Sequence, residues 1–179
     1  MTAAEWRASA DPATMIRWLS RQGGFESLWD FVIGCSVRIR DRLPGPAFRR
    51  VLDLGAQVGR GVTWSAVDDA LAEASDALDQ LERKLRGPEQ PAERQRLNRE
   101  IGYGRAVFAF EFQDSEEAAA YISNHLLEWS PDPAAERREQ ADLLRRLVPD
   151  PSQRVLGEEK HDAEPGAAPD RGGTSAPQG

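Results

Sequence analysis

The stretch Phe25 to Leu43, FESLWDFVIGCSVRIRDRL, constrains the fold more than any other. Phe25, Leu28, Trp29, Val32, Cys35, Ile39 and Leu43 recur at helical spacing. Phe31, Ile33 and Val37 widen the stripe until it almost encircles the axis. A helix apolar on most sides is normally surrounded by other elements. The spacing therefore predicts an all-α fold, an irregular multi-helix bundle around a central apolar helix.

The flanking signals supply further helices. Thr2 and Glu5 form a Thr-x-x-Glu capping box, with Trp6 as the only large anchor of a short first helix. Asp11-Pro12 marks a second start, an N-cap aspartate before a proline that fits the first helical position. Ala13, Ile16 and Leu19, with Met15 and Trp18, give that helix a buried side, and Gly23-Gly24 ends it. Leu43-Pro44-Gly45-Pro46 is a firm break, and Pro46 opens a helix carrying Phe48, Val51, Leu52, Leu54 and Val58.

From Trp64 to Leu85 the residues Trp64, Val67, Leu71, Ala74, Leu78, Leu81 and Leu85 make a heptad seam. It suits a long helix packed into its own bundle; the alternative is a homo-oligomeric coiled coil through residues 64–85. Arg94 to Phe112 is two-sided. Leu97, Ile101, Gly104 and Phe108 fit a helix, whereas Phe108, Phe110 and Phe112 alternate like a strand. Helix is preferred, since a single strand has nothing to pair with, and Gly102 and Gly104 can admit a close neighbour. Asp114 or Ser115 caps the next helix, with Ala118, Tyr121, Ile122, His125, Leu126 and Trp129 inside. Asp132-Pro133 starts the last, which docks through Leu143, Leu144, Leu147 and Val148. The helical domain is thus expected over 1–149. Residues 150–179, rich in Pro, Gly, Asp, Glu and Ser, are expected to be a disordered acidic tail.

The opening MTAAEWRASADPATMIRWL, the helix around Cys35 and QADLLRRLVPDP resemble an uncharacterised family of bacterial all-helical proteins. Its members share a Met-Thr-x-x-Glu-Trp start, an Asp-Pro before a helix, a cysteine-containing apolar helix and a closing Gln-Ala-Asp-Leu-Leu-Arg. Here these are Met1 to Trp6, Asp11-Pro12, the helix around Cys35, and Gln140 to Arg145. The family has no established activity, so the resemblance implies no functional residues. Relatives often carry Cys-Cys followed by Arg-Arg where this chain has Gly34-Cys35-Ser36-Val37-Arg38. A dithiol or metal role for that pair does not carry over.

Charge and composition narrow the function classes. The net charge is −7 and the pI about 5.0, so nucleic acid or an anionic membrane would need a local basic patch. Arg38, Arg40, Arg42, Arg49 and Arg50, and Arg137, Arg138, Arg145 and Arg146, read as solvated helix faces. No apolar run reaches the ~20 residues of a membrane span, and the N-terminus lacks a signal-peptide pattern, so a cytoplasmic location is expected. Cys35 is the only cysteine and reads as a small core residue.

No pattern converges on catalysis. His125 lacks the His-Glu-x-x-His or Glu-x-x-His spacing of metal helices, although Glu117, Tyr121 and Glu128 share its face. Glu111 with Asp114, and Asp68 with Asp69, are acid pairs expected by chance among 30 acidic residues. Gly55, Gly59 and Gly61 follow a helical pattern and lack a Gly-Lys-Ser or Gly-Lys-Thr. No cofactor or metal is expected. The five tryptophans suit gaps between crossing helices, with Trp6 and Trp129 the candidates for an exposed, partner-binding patch. The expectation is a non-enzymatic protein-interaction domain. The alternatives are an enzyme or metal protein with an acid/His125 site between helices, and a DNA-binding regulator using a basic helix face.

Overall fold

A computed structural model describes residues 1–58, 60–87 and 90–149. The expected boundary at residue 150 and the tail over 150–179 lie outside them. The described residues form eight α-helices: α1 (Ala3–Ala8), α2 (Pro12–Arg21), α3 (Phe25–Ile39), α4 (Pro46–Gly55), α5 (Trp64–Leu85), α6 (Pro91–Ala106), α7 (Ser115–Trp129) and α8 (Pro133–Leu147). Short 3-10 turns follow α3, over Arg40–Arg42, and α6, over Val107–Glu111. The all-α bundle is as the periodicity predicts.

The helix starts follow from side-chain chemistry. Thr2 and Glu5 exchange bonds with each other's backbone N–H, closing the capping box of α1. Asp11, Asp114 and Asp132 each accept from backbone N–H groups at the starts of α2, α7 and α8. Gly23 takes φ 70°, and the Gly23 and Gly24 amides bond back to Ser20 and Leu19 to terminate α2.

α3 lies at the centre, packed against α2, α4, α7 and α8. Leu28, Phe31, Val32, Cys35 and Ile39 are buried. Burial pushes the Cys35 thiol well above its ordinary range, which leaves it protonated and unreactive. The expectation that α3 is enclosed on nearly all sides is corrected: Phe25 and Val37 are 52% and 61% exposed. Ala13 likewise turns outward, while Met15, Ile16 and Leu19 of α2 are buried.

α5 packs along α4 and α6. Val67, Ala70, Leu71 and Ala74 are buried there, and Leu78 and Leu81 are partly buried against the same core. The N-terminal half of the heptad seam is therefore engaged within the chain. The stretch from Arg94 to Phe112 is a helix that tightens into a 3-10 turn, not a strand. Its glycines are where neighbours approach: a Cβ on Gly102 would fall on the Trp129 ring, and one on Gly104 would meet Phe48 at 2.9 Å.

A buried polar chain ties α3, α7 and α8 together. Arg38 bonds Glu136 at 2.8 Å and also Glu139. Gln140, fully buried, donates to Glu136 at 2.8 Å and accepts from the Ser123 hydroxyl at 2.6 Å. Burial works against the Arg38 charge, but Glu136 and Glu139 outweigh it and hold the guanidinium above its ordinary pKa. Arg38 meeting Glu136 and Glu139, and Gly34 meeting Leu143, set α3 and α8 antiparallel.

Candidate functional site

The exposed apolar residues of α3 are not scattered. Phe25, Trp29, Ile33 and Val37 are spaced by four and form one ridge along the helix. Trp29 and Ile33 are partly buried, and the two strongly exposed residues stand at the ends.

The loop between α4 and α5 builds the facing wall. α4 stops at Gly55, where the Phe110 ring occupies the space a Cβ would take. The chain then closes a short loop, with Val58 and Val62 joined by an isolated parallel bridge and Gly61 at φ 103°. This loop delivers Trp64 beside Trp29, ring centroids 5.4 Å apart, and Trp29 also stacks on Phe110 at 6.3 Å. A groove of about 440 Å³ results, lined by Trp29, Ile33, Gly55, Ala56, Val58 and Trp64. Glu26 and Asp30 stand on its α3 side and Arg60 on the loop side.

The tryptophans expected at a partner surface lie elsewhere. Trp6 is fully buried: its indole N–H donates to the Val148 carbonyl at 3.1 Å, and its ring tilts against Trp18 at 5.3 Å. That corrects the reading of Trp6 as partner-facing; docking by Val148 covers it. Trp129 is half-buried over Gly102, its indole nitrogen enclosed without a partner among the described residues. Trp29 and Trp64 are the tryptophans that reach the groove. The signal for Trp29 was available as its four-residue spacing from Phe25 and Ile33; Trp64 reaches it only through the loop.

The acid/His125 arrangement is only partly assembled. The Tyr121 and His125 rings pack tilted, centroids 4.4 Å apart, and His125 Nδ1 lies 3.9 Å from Glu128. Burial lowers the His125 pKa, opposed by Glu128 and assisted by Arg105. Burial also raises Glu111 and Tyr121. Glu117 is exposed, and Asp114 is engaged in capping α7. Asp68 and Asp69 lie on the open face of α5. Among the described residues, no three His, Cys, Asp or Glu side chains come together as a metal set.

Four of the nine clustered arginines are paired, while Arg42, Arg49, Arg137, Arg138 and Arg146 have no ion pair among the described residues. Arg38 pairs with Glu136 and Glu139, Arg40 with Asp53, Arg50 with Glu73 and Arg145 with Asp142. Among the described residues, no helix is long and apolar enough to cross a membrane. No family model, curated protein or solved structure matches this chain, so its reading rests on its own residues.

Proposed function

We propose that this chain is a non-enzymatic helical domain that binds another protein through the α3 ridge and the adjoining groove. One observation carries the reading. The strongly exposed large apolar residues among the described residues, Phe25 and Val37, lie on one four-residue ridge with Trp29 and Ile33, and Trp29 and Ile33 line a groove together with Trp64. Contiguous apolar surface of this kind marks interaction sites, and tryptophan is enriched among the residues that dominate binding energy.

A photo-crosslinking side chain placed at Phe25 or Val37 in the source cell tests this. Both positions should yield the same discrete adduct. The adduct should be absent from the same probe at exposed Asp69 and abolished by Ile33→Glu in protein that keeps its helical circular dichroism. Ridge positions that give no adduct beyond the Asp69 control would remove the reading.

A further inference from the structure

Resting on the reading of the ridge as a docking face, we propose that its occupant is an amphipathic helix whose apolar edge is flanked by lysine or arginine. Shape is the first argument. From Phe25 to Val37 the ridge advances about 18 Å, at ~1.5 Å per residue. That is a little over three helical turns. A ridge with four-residue spacing packs into the groove of another helix, which presents its anchors at i, i+3 or i+4, and i+7. A strand partner would instead need a free sheet edge, and the described residues present none.

Charge is the second, independent argument. Glu26, Asp30 and Asp41 are exposed on α3 and its terminal turn, with no ion-pair partner among the described residues. Two cations of the same segment that could offset them are engaged: Arg38 by Glu136 and Glu139, Arg40 by Asp53. Arg42 lies over the neutral Tyr103 ring and keeps its charge, one cation against the three acids. The uncompensated charge along this side of the groove is therefore negative. An acidic flank on a partner would meet like charge, and a basic one would meet Glu26 and Asp30 one helical turn apart. Arg60, on the other wall, suits an acidic or neutral residue on the partner's far side.

The test uses the full chain and two labelled helical peptides with the same leucine edge, one flanked by lysine and one by glutamate, read by fluorescence anisotropy. The lysine peptide should bind roughly tenfold tighter at low salt, with the preference shrinking as salt rises. Glu26→Lys with Asp30→Lys should reverse the preference. The matched reversal Asp69→Lys with Asp76→Lys, on the solvent face of α5, should leave it in place. Equal binding of the two peptides, or a preference that survives the Glu26/Asp30 reversal, would overturn the proposal. If a ridge adduct still forms in the cell under that result, docking stands and the basic helix alone fails. Ultracentrifugation showing self-association abolished by Ile33→Glu would make the occupant a second copy and overturn it. So would a Val37 crosslink in the purified chain that maps to residues 150–179.

Discussion

Both sides of α3 carry large apolar residues, and those residues meet opposite fates. Leu28, Phe31, Val32, Cys35 and Ile39 disappear beneath α2, α7 and their neighbours, while Phe25 and Val37 stay in solvent. A shared helical period thus carries two demands. One is met by the chain's own packing, and the other is left open beside Trp29 and Trp64. Apolarity around a helix says that its faces need cover, but does not say that the same chain provides all of it.

Substitutions on each side break or sharpen this contrast. Phe31→Ala should cost about 3–5 kcal/mol in denaturant unfolding, because it empties a fully buried site. Val37→Ser should stay within about 0.5 kcal/mol. Comparable losses at both positions would mean that the outer ridge is part of the core. Arg38→Ala comes next, at about 2–3 kcal/mol, reduced from a fully buried pair because the arginine is partly exposed. Its loss strands Glu136, so the joint change Arg38→Met with Glu136→Leu should recover most of the stability. A double variant no better than the single one would show that the pair contributes more than mutual neutralisation.

Smaller effects probe the rim. Gly102→Ala should cost about 1–3 kcal/mol by driving the new methyl into Trp129. A shift in tryptophan emission should accompany it; unchanged emission would mean the ring does not sit on Gly102. The shallowest effect is the pH response of His125. Its folded pKa lies below the unfolded value near 6.5, so protons bind the unfolded chain better. The histidine costs nothing at pH 8, and stability falls as pH drops through 6.5. In His125→Gln that slope should flatten; an unaltered slope would assign it to other groups.

Much of the architecture was legible because capping chemistry is local. Thr2 with Glu5, Asp11-Pro12 and Asp132-Pro133 need only their own backbone to start a helix, and each does. Gly102 and Gly104 were legible as points of close approach. What was not legible depends on partners distant in sequence. Trp6 reads as the anchor of a short helix and as a candidate for a partner surface, and only its bond to the distant Val148 decides between them. The alternation of Phe108, Phe110 and Phe112 resembles a strand, but continuing from α6 it winds as a 3-10 turn that buries Phe110 beneath Trp29. The polar chain through Glu136 and Gln140 left a trace in their shared four-residue stripe with Leu144 and Val148. Its partners Arg38 and Ser123 lie on other helices, beyond any local signal. The groove was hidden for the same reason: Trp64 belongs to a heptad seam, and only the loop before it sets it beside Trp29.

The indole of Trp6 holds the carbonyl of a residue 142 positions away. Six residues are far too few for a helix to persist alone in water. The opening turn therefore borrows its order from the close of the last helix. If α1 peels away, the Val148 carbonyl loses its indole donor, and if the close of α8 loosens, the Trp6 indole loses its acceptor.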